Sequence, residues 1–173
     1  MLDLVLRMVF CALFCSISAR ASGCPLRCEC SEAAHTVKCV SKDLRSVPPG
    51  IPGYTRNLFI TGNQISRIGP ESFKGLDNIT TLSLSNNRIT EVESQTFSGL
   101  RSLRSLDLSS NQLAVINPEA FTVPGHTLRE LNLSRALYNH SSLMNLAMVP
   151  EWNPSRLVSI AFQREENLSS NLS

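Results

Sequence analysis

The sequence lacks a strong charge of either sign. Its 173 residues carry 16 basic and 14 acidic side chains, a formal net charge of +2, and no two basic residues stand side by side. Neutralising a phosphate backbone takes a clustered basic patch, so nucleic acid is not an expected partner. Charged residues make up only 17% of the chain, yet apolar ones reach 42% and recur regularly, which argues against disorder and for a single globular domain. Catalytic constellations are missing as well. His35, His126 and His140 are scattered, and there is no nucleophile elbow, glycine-rich phosphate loop or His-x-x-x-His pair. The expectation is a non-enzymatic protein with no cofactor, no metal site and no small-molecule substrate. Nor does any stretch reach the roughly twenty apolar residues that cross a bilayer.

The longest uncharged apolar run, Met8 to Ile17, follows Arg7 and leads into Ala19-Arg20-Ala21, a small-x-small cleavage pattern. Residues 1–21 therefore read as a secretory signal peptide, and cleavage after Ala21 leaves a chain close to neutral. Cys11 and Cys15 leave with it. The remaining cysteines, Cys24, Cys28, Cys30 and Cys39, crowd into one short segment, and none follows. Zinc is the rival to disulfides here, but an oxidising compartment and an even count favour bridges. Alternation along an extended chain makes Cys28 and Cys30 project to the same side, which disfavours a bond between them. Of three connectivities, the expected one is crossed, Cys24 to Cys30 and Cys28 to Cys39.

What the sequence has in abundance is repetition. Leu58-x-Ile60-x-x-Asn63-x-Ile65 returns as Leu82-x-Leu84-x-x-Asn87-x-Ile89 and as Leu106-x-Leu108-x-x-Asn111-x-Leu113, each time 24 residues on. Ile68, Val92 and Ile116 keep step, as do Phe73, Phe97 and Phe121. This is the leucine-rich repeat pattern. Leu-x-Leu makes a short strand with both leucines facing in, and spacings of two and then five residues do not fit a helix. The fold expected is an α/β-type leucine-rich repeat solenoid: short parallel strands on the concave face, an irregular convex side and a disulfide-bonded amino-terminal cap. Asn63, Asn87 and Asn111 should form a structural ladder at the turn off the sheet, where an amide can both donate to and accept from unpaired backbone groups. Leu128, Leu131 and Leu133 begin a fourth repeat, one residue late after the Thr122 to Thr127 insertion. Ala136 then stands where the ladder asparagine belongs. Arg156 to Phe162 could add one more strand. The division is 22–52 for the cap, 53–135 for the repeats and 136–173 for a degenerate repeat or loop, so that the array reads as truncated.

The cap wording Cys28-Glu-Cys-Ser-Glu-Ala-Ala-His-Thr-Val-Lys-Cys-Val40 and the first repeat Arg56-Asn-Leu-Phe-Ile-Thr-Gly-Asn-Gln-Ile65 resemble the trophoblast glycoprotein family, also called Wnt-activated inhibitory factors. The resemblance runs from about Cys24 to Leu133. It implies a glycosylated cell-surface protein without catalytic activity, which inhibits Wnt/β-catenin signalling at the plasma membrane by acting on an extracellular or membrane protein, the Wnt co-receptor being the implied partner. Family members continue through further repeats, a second cysteine-containing cap and a membrane anchor. The expected location is the cell surface if such an anchor belongs to the protein, and otherwise the medium after secretion. The alternative is an adhesive module that binds matrix or a receptor with no Wnt role.

Candidate binding chemistry sits between the inward leucines, where Lys38, Phe59, Ser83, Asp107 and Asn132 make the middle column of the concave face. Lys38 and Phe59 are the expected partner-binding pair, because basic and aromatic side chains dominate interface hot spots. The family resemblance implicates the same cap region and maps its lysine to Lys38. Arg56, Arg104 and Arg129, two places before the first inward leucine, are expected to keep the sheet edge wet. A lone carboxylate at Asp107 does not make a calcium site. Asn78, Asn132, Asn139 and Asn167 open sequons for N-linked glycan, and Asn171 opens another close to the terminus.

Overall fold

In a computed structural model, residues 23–138 and 159–161 are described. The segment read as a signal peptide, with Cys11 and Cys15, and the sequons at Asn139, Asn167 and Asn171 lie outside the described residues.

The chain winds as a solenoid because each repeat has one strand too short to bury its own leucines alone, and stacking joins them into a continuous core. Strands β1 (Glu29–Ser31), β2 (Thr36–Lys38), β3 (Asn57–Phe59), β5 (Thr81–Ser83), β7 (Ser105–Asp107), β9 (Glu130–Asn132) and β10 (Ser159–Ala161) form one sheet in that order. Only the cap hairpin β1–β2 is antiparallel; every later pairing is parallel. Register follows the repeat, with Val37, Leu58, Leu82, Leu106 and Leu131 side by side. All five are buried, along with Ile60, Leu84, Leu108 and Leu133 from the second inward position. The backbone of β10 lies in the segment read as a further strand, parallel to β9 with Ile160 opposite Leu131.

The convex side holds more order than the sequence suggested. Strands β4 (Arg67–Ile68), β6 (Glu91–Val92) and β8 (Val115–Ile116) make a second, three-stranded parallel sheet in which Ile68, Val92 and Ile116 align and are buried. In the core Phe73, Phe97 and Phe121 line up as a spine, with ring centroids 5.9 Å and 5.4 Å apart, the first pair stacked and the second tilted. Helical structure among the described residues is limited to short 3-10 turns, Pro118–Phe121 and Pro124–His126. The second lies within the insertion that delays the fourth repeat by one residue, and the first immediately precedes it.

The asparagines 63, 87 and 111 are buried and each amide serves both as donor and as acceptor. Asn87 Oδ1 accepts from the Ile65 amide at 3.2 Å, while its Nδ2 donates to the Ile60 and Leu84 carbonyls at 2.8 and 2.9 Å. Asn111 repeats this one turn on, toward Ile89, Leu84 and Leu108. Asn63 ties the first repeat to the cap by accepting from Lys42 and Leu44 amides and donating to the Cys39 carbonyl at 2.7 Å. At the next rung the side chain is absent, and the main chain takes over: Leu113 N donates to the Ala136 carbonyl at 2.8 Å.

Candidate functional site

The cap is where the chain departs most from a plain repeat. Cys24–Cys30 and Cys28–Cys39 are bonded, with Cα separations of 5.7 and 4.4 Å, the crossed pairing expected from the sequence. Cys39 is itself a fully buried member of the core, so the second bridge ties the hairpin to the front of the stack. The reversal between β1 and β2 places Glu29 opposite Lys38 and Cys30 opposite Val37. On the other side of β2, Lys38 stands in register with Phe59 of β3.

These three residues line one open groove of about 650 Å³ at the cap end of the concave face, together with Cys30, Thr36 and Asn57. Lys38 is exposed and Phe59 half-buried. A half-buried aromatic residue in register with an exposed lysine is a combination that suits a partner offering a carboxylate next to an apolar side chain. Glu29 is the group that sequence reasoning missed. Its Oε1 lies 3.8 Å from Lys42 Nζ, and Lys38 forms no ion pair among the described residues. The placement of Glu29 depends on the hairpin register, for which a single pass of the repeat offers no template.

The rest of the middle column is quieter. Ser83 is buried and donates through Oγ to Asp107 Oδ2 at 3.0 Å, while Asp107 Oδ1 accepts from the Ser109 amide, so that the carboxylate is occupied within its own sheet. Asn132 is half-buried and its Oδ1 accepts from Ser134 N at 3.1 Å, so its amide belongs to the concave surface. Asn78 lies exposed on the loop that leads into β5, its Nδ2 donating to the Gly53 carbonyl at 3.0 Å. Among the described residues no group of three or more His, Cys, Asp or Glu side chains converges as a metal site would require, and no helix is long and apolar enough to cross a membrane.

Stacked parallel strands, an asparagine ladder and a crossed-disulfide cap define a leucine-rich repeat fold, and the proteins it resembles are non-enzymatic. The leucine rich repeat family model matches residues 54–113. Within that fold the chain is similar to the trophoblast glycoproteins. It is 56% identical to human trophoblast glycoprotein over 50 residues, which is 29% of this chain and 12% of the human one. The solved structure of the human protein, also called Wnt-activated inhibitory factor 1, aligns with a TM-score of 0.72 at 34% identity, covering 83% of this chain and 55% of that one. A more distant relative is the leucine-rich repeat and immunoglobulin-like domain-containing nogo receptor-interacting protein 1-B of Danio rerio, 40% identical over 68 residues, 39% of this chain and 11% of that one. The chain thus matches only a small part of the length of its curated relatives.

Proposed function

We propose that the protein inhibits Wnt/β-catenin signalling at the outer face of the plasma membrane, docking a membrane protein, the Wnt co-receptor that the family resemblance implies, against the cap end of its concave face. The observation that carries this reading is the groove in which Lys38, Phe59 and Glu29 meet, on the segment where the chain is similar to a protein named Wnt-activated inhibitory factor 1. The groove would act by binding alone: the phenyl face supplies apolar contact, and Lys38 and Glu29 select the orientation of a partner's charges. N-glycan at Asn78 and Asn132 is part of the proposal. A sugar on Asn132 would stand over the far end of the concave face and leave the cap end as the accessible portion.

Displayed or secreted by cells carrying a β-catenin reporter, the chain should lower the signal, and Lys38→Ala should restore most of it at equal surface level. A reporter unmoved by well-displayed protein overturns the reading. Cell attachment to the immobilised protein with a silent reporter would instead favour the adhesive alternative, toward which the similarity to a nogo receptor-interacting protein points.

A further inference from the structure

Each turn of the solenoid is fastened to the next at the residue just before its concave strand. The His35 carbonyl accepts from the Arg56 and Asn57 amides, the Arg56 carbonyl from Thr80 and Thr81, the Thr80 carbonyl from Arg104 and Ser105, and the Arg104 carbonyl from Arg129 and Glu130, all between 2.8 and 3.0 Å. These paired bonds set His35, Arg56, Thr80, Arg104 and Arg129 in one straight column along the sheet edge. With rungs ~4.8 Å apart, the column is about 19 Å long, Arg56 and Arg104 standing about 10 Å apart and Arg104 and Arg129 about 5 Å.

The three arginines are exposed, and the ion pairs among the described residues, Lys42–Glu29, Arg67–Glu91 and Lys74–Glu71, involve none of them. Arg101, also exposed, lies three residues before Arg104, while Asp77 and Glu130 are exposed carboxylates close to the column in sequence. Guanidiniums outside every ion pair of the described residues, carried on backbone positions fixed in a row on a protein whose overall charge is close to zero, are a local feature rather than a by-product of basic composition. A guanidinium offers a planar fork of donors that fits sulfate or carboxylate oxygens two at a time. A linear polyanion with charges every few ångströms can meet all three at once, whereas a compact anion cannot. The disulfide-bonded cap places the chain where the abundant linear polyanions are sulfated polysaccharides of the cell surface and matrix.

We propose that the edge column Arg56, Arg104 and Arg129 is a binding site for a sulfated glycosaminoglycan chain. It is separate from the cap groove and does not depend on any Wnt role. The attraction acts through released counterions, so binding should weaken steeply with salt.

The test is binding of the secreted chain, and of its Asn78→Gln form so that sugar on the neighbouring loop does not mask the column, to immobilised heparin and to fully desulfated heparin. The Arg56→Ser/Arg104→Ser/Arg129→Ser variant should lose affinity by about tenfold or more and show a shallower salt dependence, by about two to three units in the log–log slope. The Arg45→Ser/Arg67→Ser/Arg88→Ser variant removes the same formal charge from exposed positions outside the column and should stay within about twofold of the parent at low salt. Thermal melts of both variants show that they are folded. The proposal is overturned if neither parent form binds heparin at low salt, if desulfated heparin binds equally well, or if the two triple variants lose affinity alike.

Discussion

At Asn87 a single side chain closes contacts on two successive turns, taking the Ile65 amide and giving its own hydrogens to the Ile60 and Leu84 carbonyls, all away from water. Removing it strands the Ile65 amide and the Ile60 carbonyl inside the protein, whereas the Leu84 carbonyl keeps its bond from Asn111 Nδ2, and each buried polar group left unpaired costs about 1–3 kcal/mol. Asn87→Ala should therefore lower unfolding free energy by about 3 kcal/mol, read from the urea midpoint of the secreted chain. Asn87→Asp should be no better, since it keeps the acceptor, loses the donor and buries a charge. Ala136 shows when the rule can be relaxed: there the chain path itself brings a main-chain carbonyl to Leu113 N, so no side chain is needed. From the sequence Ala136 reads as decay of the pattern. The compensation depends on where the backbone runs, which residue identity does not reveal.

Among the elements, the turn that leaves each concave strand repeats more faithfully in conformation than in sequence. Ser41, Gly62, Asn86, Ser110 and Arg135 occupy equivalent places, and all have positive φ, from 53° to 67°. Only Gly62 and Asn86 are residues that adopt this region readily; the others bear a cost of about 1–2 kcal/mol each, held in place by the strands on either side. Ser110→Asn should therefore raise stability by up to about 1 kcal/mol, seen as a higher melting temperature. Gly62→Ala should lower it by about 1–2 kcal/mol, because φ is 67° and the new Cβ would lie 2.8 Å from Ser41 Oγ. Strand positions were legible because Leu-x-Leu at a fixed period leaves one face to bury. The turn geometry was not, since four different residue types fill a site defined by its dihedral angles.

At the scale of the whole molecule the amino-terminal end of the stack is sealed by the cap. Val37 and Cys39 are fully buried, and the Cys28–Cys39 bridge, closing a segment of 11 residues, holds them against Leu58 and Ile60. Cys28→Ser/Cys39→Ser should reduce stability by about 3 kcal/mol from lost chain constraint, and more where the hydroxyls are left unpaired in the core. Secreted yield and the denaturant midpoint should fall together. The same cut should loosen β2 and with it Lys38, so the reporter response is best compared at matched folded protein.

The period of 24 residues, the inward leucines and isoleucines, the phenylalanine column and the asparagine positions could all be read from the sequence, because each obeys a local rule, alternation along a strand or burial of one face. For the cysteines alternation disfavoured only a Cys28–Cys30 bond, and the structure has the crossed pairing that was expected among the rest. The register of the arginine column was also readable, because it too follows the repeat. Tertiary structure alone decided that those arginines have no carboxylate partner among the described residues, that the convex strands β4, β6 and β8 join into a sheet, and that Glu29 arrives opposite Lys38. Those outcomes depend on which surfaces meet after the chain has wound. A repeat specifies the step from one turn to the next, whereas pairing of side chains across turns and around the cap hairpin is set by distances between residues far apart in sequence.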